Sequence, residues 1–448
     1  MDKNVEFRVI NNAFTSIRYN NNNFLFDPWA IGNLYLDTWA PFPTPTNVNS
    51  FIKDSKFCYV SHIHQDHCDP KTLELLDKES LIVIPDIYPN HILKKQISNL
   101  GFNKITMLKP MKKLELFKNF FITVIPPLND FGLEQDISEE DENKIAIDTG
   151  VLIEIESKEL KGKYVLLGDN SPYNIDLFKK HFPYELDLVM FPFNGFADDY
   201  PLCYDNLSLE EKSSLSNLRS QKRFEYLLNF FKNLKPKLTS PHSSDFMLIG
   251  PRQEEFLNIH NENFMHKDLF AKKLNENGVD CVSLYEKDTL IFTDKGYEFN
   301  QNSSENDRRY FKNPEKNFSF DNFYKKYNFS NIDLDELLKL SLLNSINKAH
   351  TEKFNEWTLN INVKNTEEDY FINFDKNTIE KRSDSKKILK LTIDRELLIL
   401  HLNCKLHWDN SQIACYLSWE RNPNEYNPYL YDALNYLHVK RDEVLSLD

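Results

Sequence analysis

The sequence predicts an α/β architecture in which helices cover β-sheets on their outer faces, followed by a smaller α+β unit. Three observations carry this expectation: strand-length apolar runs recur through the first 300 residues, a helical stripe lies among them, and the composition breaks near residue 300. The runs are Phe57–Val60, Leu81–Ile84, Phe121–Ile125, Val151–Ile155, Tyr164–Leu167 and Leu188–Phe191. Their near-continuous apolar character marks short strands buried on both faces. Ahead of them, Phe7–Ile10 and Phe24–Phe26 are separated by the turn-prone cluster Asn20–Asn23, which reads as part of a β-meander. Phe224, Leu227, Leu228 and Phe231 follow the i, i+3, i+4, i+7 spacing of a helix with one apolar face. Strands and helices that interleave in this way suit a layered α/β fold.

At 448 residues the chain is too long for one ordinary core. We expect a catalytic domain over residues 1–300, a linker over 301–320 that opens in Asn, Ser, Glu and Asp, and a C-terminal α+β domain over 321–448. The last should hold a helix near Asp333 to Ala349, strands at Trp357–Val363, Tyr370–Phe374 and Ile388–Ile393, and helices through Leu397 to Leu437. Trp357, Trp408 and Trp419 read as its core, and no chemistry is assigned to it.

A formal net charge of −14 argues against a nucleic-acid or anionic-membrane partner, because either requires clustered Lys and Arg. The six cysteines are scattered without tight pairing, which fits reduced thiols and no structural disulfide. The opening residues lack the apolar stretch of a signal peptide, and no apolar run has the length of a membrane span. A cytoplasmic protein is the expectation.

The chemistry is concentrated in Ser61-His62-Ile63-His64-Gln65-Asp66-His67, directly after a predicted strand. Imidazoles two residues apart on an extended segment face one side, and the Asp-His pair that follows can reach a second metal nearby. So many ionisable groups in six residues are expensive to bury without a ligand. Further donors are needed from distant strand ends. Asp169, after the strand ending at Leu167, is placed to bridge two cations, and His242 follows Lys237–Pro241 at another strand end. Substrate contacts are sought in the aromatic loop that holds Asp198, Asp199, Tyr200 and Tyr204. Trp29 and Trp39 read as core, and Arg219, Lys222 and Arg223 as the solvated face of a helix.

The order HxHxDH, later Asp, later His resembles the metallo-β-lactamase superfamily. That resemblance implies an αββα sandwich with a two-metal site at one edge of its sheets, held here by His62, His64, Asp66, His67, Asp169 and His242. The family normally adds a histidine between the first motif and the aspartate, and His91 comes too early and His181 too late for that role. The loop after Phe121–Ile125 offers carboxylates instead, so Glu134 is the expected donor, with Asp130 and Asp136 as substitutes.

A wider resemblance runs through Phe26-Asp27-Pro28-Trp29-Ala30-Ile31-Gly32, Trp39, Asp148-Thr149, Tyr200-Pro201, Lys235-Pro236 and Pro241. It continues through His407-Trp408-Asp409-Asn410, Glu420-Arg421-Asn422-Pro423 and Tyr426. These are similar to the CMP-N-acetylneuraminate hydroxylase family, and the likeness implies a nucleotide sugar or another small polar molecule as substrate. That family also carries a Rieske iron–sulfur domain. No CxH…CxxH pair occurs here, and Cys404-Lys405-Leu406-His407 reads as helix packing. An oxygenase would then need an external electron donor. A carboxylate in place of a histidine suits iron or manganese over zinc, and a Glu there also resembles a diiron β-hydroxylase of the same fold. The sequence therefore points to two divalent metals, iron favoured, and to an oxygenase. The alternative is a binuclear hydrolase in which a bridging hydroxide attacks a phosphodiester, lactone or amide and Asp66 positions it as the catalytic group.

Overall fold

The computed structural model describes residues 4–53, 55–87, 91–127, 147–171, 175–193, 199–243, 245–260, 265–308, 323–346 and 348–447. The chain opens with β1 (Asn4–Asn11), β2 (Phe14–Tyr19) and β3 (Asn22–Phe26), an antiparallel meander. Its turns are made by Asn12, Asn20 and Asn21, all at positive φ, where asparagine is well tolerated. The strand β2 lies between the two that the apolar runs predict. Its residues point to both cores, so it carries no clean alternation that a single-sequence reading would catch.

After β4 (Trp39–Pro41) come β5 (Phe57–Tyr59), β6 (Leu81–Pro85) and β7 (Ile105–Leu108), which add in parallel beside β3. A second sheet follows: β8 (Lys113–Phe117), β9 (Phe120–Ile125), β10 (Gly150–Glu156), β11 (Lys161–Leu166), β12 (Leu188–Pro192) and β13 (Thr239–His242). Its order is β13-β12-β11-β10-β9-β8. After β14 (Phe246–Leu248), which pairs with β4, the strands β15 (Thr289–Thr293) and β16 (Gly296–Asn300) complete the first sheet on the far side of β1.

The two sheets face each other across one apolar core that includes Phe7, Phe24, Tyr59, Ile122, Ile153 and Met190. The outer face of the first sheet is covered by helices at Val48–Ile52, Pro70–Leu73 and Ile92–Asn99, and that of the second by helices at Ile175–His181, Leu209–Leu234 and Lys267–Glu276. The layering is α/β/β/α, as the resemblance implied. The helix Leu209–Leu234 contains the apolar stripe read from the sequence and opens on a Ser208–Glu211 capping box.

The C-terminal part is a five-stranded sheet, β17 (Trp357–Val363), β18 (Asp369–Asn373), β19 (Thr378–Glu380), β20 (Lys387–Ile393) and β21 (Ser418–Asn422), in the order β19-β18-β17-β20-β21. The strand β21 falls where the sequence reads as helices throughout. Its antiparallel pairing with β20 overrides the local helical pattern on either side. Trp408 and Trp419 are buried here, but the core is shared: Trp29, Tyr35, Trp39 and Phe246 from the first half pack into the same cluster as Leu359, Leu398 and Trp419. Within the expected linker, Asn302 and Ser303 donate to buried Asp288, which also pairs with Arg308 at 2.7 Å. Residues 309–322 lie outside the described residues.

Candidate metal centre

One edge of the sandwich gathers several chain ends. The parallel strands β3 and β5 end there, β11, β12 and β13 end there, and antiparallel β10 begins there. Side chains that leave these ends are fixed by rigid strands and still reach one another.

The histidine run leaves β5 with its backbone pinned. Asp27, just past β3, accepts from the Ser61 amide at 2.7 Å and the Ser61 hydroxyl at 2.6 Å. The same carboxylate holds His67 Nδ1 at 2.7 Å, which fixes the proton on Nδ1 and turns Nε2 to the site. Because the Ser61 hydroxyl donates to Asp27, its oxygen accepts from His62 Nδ1–H at 2.9 Å, so His62 Nε2 is likewise the unprotonated atom. Gly168, at φ +60°, lets the Asp169 loop pass close to this brace; a Cβ there would lie 3.1 Å from Asp27 Oδ2.

Two groups result. His62, His64 and Asp148 bring their ligand atoms within 4.8 Å of one another, and so do His62, His67 and Asp169. His62 Nε2 lies 2.9 Å from His64 Nδ1 and 3.6 Å from Asp148 Oδ1. His67 Nε2 lies 3.1 Å from Asp169 Oδ2 and 3.2 Å from Asp66 Oδ2. His242, at the end of β13, is fully buried beside Asp169, His67 and Gly168.

Asp148, noted in the sequence within Asp148-Thr149 but not as a ligand, joins the candidate donors here. Thr149 donates to the Ser61 carbonyl at 2.7 Å and pairs with the Tyr59 hydroxyl at 2.8 Å, which sets Asp148 against the histidines. The signal was topological: the residue before an antiparallel strand stands at the same edge as the residues after its neighbours. Glu134, Asp130 and Asp136 lie outside the described residues, as does Asp198.

The unsatisfied atoms fit a cation. Among the described residues, His67 Nε2, Asp148 Oδ1 and both ring nitrogens of His242 are buried without a hydrogen bond. Leaving such groups unpaired is costly, whereas metal coordination would satisfy His67 Nε2, Asp148 Oδ1 and one ring nitrogen of His242. Electrostatics agree. Burial opposes protonation of His67, yet Asp169, Asp66 and Asp27 outweigh it and hold the ring protonated well above its usual range; a cation would take that proton's place. Burial pushes His242 down to about 3 and His62 far below its usual range, so both remain neutral donors. Burial pushes Asp148 up to about 6, and nearby Asp169 adds to the effect. Burial acts upward on Asp66 too, but His67 and the hydrogen bonds it receives keep it ionised, below the usual carboxylate range.

The expected substrate tyrosines pack against each other and against the C-terminal part of the chain. Tyr204 is buried with its hydroxyl 2.5 Å from that of Tyr431, and Tyr200 stands edge-on to it under the guanidinium of Arg421. Trp29 and Trp39 are core residues, as read. Arg219 and Arg223 are not a solvated face. Arg219 donates to the Tyr200 carbonyl, and Arg223 reaches Ser171 at 2.6 Å and the Pro192 carbonyl at 3.1 Å, because the long helix lies under the loops at this edge. Cys404 and His407 sit between helices Arg395–Leu402 and Trp408–Ile413 rather than within one, and Cys404 Sγ meets His438 Nδ1 at 2.9 Å.

No family model matches the chain. Among curated proteins it is 23% identical over 257 residues to the cytidine monophosphate-N-acetylneuraminic acid hydroxylase of Danio rerio, covering 55% of this chain and 39% of that protein. It is 22% identical over 263 residues to a protein of Mycolicibacterium smegmatis named as a Rieske 2Fe-2S iron–sulfur protein, covering 58% and 48%. The chain thus spans half or less of the length of these relatives. Solved structures that overlay on it include CmlA, a diiron β-hydroxylase from Streptomyces venezuelae, at TM-score 0.42 and 16% identity over 65% of this chain and 55% of that one. An isothiocyanate hydrolase from Delia radicum gut bacteria overlays at TM-score 0.42 and 16% identity, covering 64% and 99%. In sequence, then, the chain is similar to part of a cytidine monophosphate-N-acetylneuraminic acid hydroxylase and of a protein named for a Rieske cluster.

Proposed function

We propose that this protein is a diiron oxygenase that hydroxylates a small polar substrate, with electrons delivered by a separate donor. The observation that carries the reading is the donor set of the outer group: His62, His64 and Asp148, two imidazoles and one carboxylate. This combination suits non-haem ferrous iron and is also found on catalytic zinc, and the sequence similarity to hydroxylases favours iron. His67, Asp169, Asp66 and His242 would hold the second ion. Held by these residues, iron would supply the binding and reduction of dioxygen. The similarity to CMP-N-acetylneuraminic acid hydroxylases and to a protein named for a Rieske cluster supports an oxidative reaction, and with it a nucleotide sugar or similar polar substrate.

The chain's own groups do the rest. Asp27 keeps the His67 proton on Nδ1 and, through Ser61, the His62 proton on Nδ1, so that both Nε2 atoms remain lone-pair donors. Asp148, its side chain 25% exposed, faces the accessible side, while His62 and His67 are fully buried. Asp169, its side chain 29% exposed, faces the same accessible side, so substrate would approach over these two carboxylates.

The test is to purify the protein with iron, reduce it anaerobically with dithionite, and mix it with oxygenated buffer. Oxygen uptake matched to the iron content, and abolished in His62→Ala, is expected. A zinc-loaded protein that hydrolyses bis-p-nitrophenyl phosphate and takes up no oxygen would replace this reading with the hydrolase.

A further inference from the structure

We propose that Tyr35 is the positioning residue that fixes Asp66, and that through it the C-terminal part of the chain is built into the metal centre. The inference rests on the two-metal reading above and extends it to residues that touch no metal.

Asp66 is clamped at both oxygens. The Tyr35 hydroxyl donates to Oδ1 at 2.5 Å, and Asn12 Nδ2 donates to Oδ2 at 3.0 Å. With one donor on each oxygen the carboxylate cannot turn, and the lone pair of Oδ2 that remains faces the region of His67 Nε2. Asn12 is held in turn by the Asp245 amide, which donates to its Oδ1 at 3.3 Å, and Asp245 pairs with buried Lys267 at 2.5 Å.

The backbone that presents Tyr35 is unusual. Tyr35, Leu36 and Asp37 stand at φ 46°, 62° and 63°, three successive residues with a Cβ in the left-handed region. Single residues visit that region; runs of them are disfavoured unless the surroundings impose them. The surroundings here come from far along the chain. Leu34 and Trp39 pair at the neck of the turn, and the Trp39 ring stacks on Phe246 at 3.6 Å. Trp39 Nε1 donates to the Ile413 carbonyl at 2.9 Å. Gln65, inside the histidine run, accepts from the Tyr35 amide at 3.0 Å and donates to Asn410 Oδ1 at 3.3 Å. Asn410 and Ile413 thus brace the turn, the turn aims the phenol, and the phenol sets the carboxylate. A tyrosine needed only to fill space would require neither this backbone nor a hydroxyl on a metal-site carboxylate.

The experiment is a titration of the metal-free full-length protein with Co(II), followed by visible absorption and by competition with a chelator. In Tyr35→Phe, one of two cobalt affinities should fall by about tenfold to a hundredfold, with an altered spectrum for that ion alone, while the ion at His62, His64 and Asp148 is unchanged. Asn12→Ala strips the other oxygen from outside the turn and should weaken the same ion, and Trp39→Phe should do so less. Tyr35→Phe with both affinities and both spectra of the wild type would overturn the proposal. So would equal loss at both ions, the mark of general loosening. A wild-type protein that takes up no cobalt would remove the two-metal reading itself, and the inference with it.

Discussion

The two ends of the ligand cradle are built differently. At the inner end His67, Asp66 and His242 are buried and braced: Asp27 holds one histidine, and Tyr35 and Asn12 hold the carboxylate. At the outer end Asp148 is partly exposed, and its Oδ1 has no hydrogen-bond partner among the described residues. Exposure does not separate the two ends, since Asp169 beside His67 is 29% exposed against 25% for Asp148; bracing does, because Asp66 is held at both oxygens and Asp148 Oδ1 is not held. The difference assigns the firmer hold to the inner half of the site.

The comparison breaks most severely if Asp27 is removed. Asp27→Ala leaves His67 Nδ1 and the Ser61 amide buried without partners, which should cost about 3 kcal/mol of stability and weaken metal binding by roughly a hundredfold. Chemical denaturation with and without chelator separates the two effects. At the outer end the balance should reverse. Asp148→Asn is expected to lower the affinity of one ion by about tenfold while the denaturation midpoint of the chelated protein scarcely moves. Asp148→His should instead raise the zinc-to-iron ratio of protein grown with both metals, because it completes a three-histidine set.

A smaller effect lies away from the metals. His401 is buried against Trp408 and held by Ser411 and the Leu406 carbonyl, and burial pushes it down to about 3. Its folded pKa lies below the unfolded value, so the unfolded chain binds the extra proton. Stability is therefore full above about pH 6.5 and is lost as pH falls toward 3, by roughly 1 kcal/mol per pH unit from this residue. Urea melts of chelated wild type and His401→Phe should diverge over that window and run parallel above it. The smallest expected effect is at Glu134. Since Asp148 already stands beside His62 and His64, Glu134→Gln should leave the metal content unchanged, and a lost ion would return Glu134 to the site.

Much of this was legible in the sequence, for identifiable reasons. His62, His64, Asp66 and His67 announce themselves by spacing on one short segment, and Asp169 and His242 by standing at strand ends in order after it. Asp148 was hidden because its role depends on the direction of a strand that begins after it, and hydrophobicity carries no direction. Tyr35 and Asn12 were hidden because one sits in a left-handed turn braced by Ile413 and the other in a hairpin turn, so neither belongs to a motif. The strand Ser418–Asn422 was lost among helices because its pairing with β20 is a long-range contact. Trp39 and Trp419 belong to one apolar cluster that draws on both halves of the chain, which no local pattern could reveal.

The central claim is a two-iron centre with Asp148 as a ligand. Elemental analysis of the purified wild type beside Asp148→Asn tests it most directly. The account predicts about two irons per chain in the wild type and a marked loss of one in the variant. Two zincs in both proteins would contradict it.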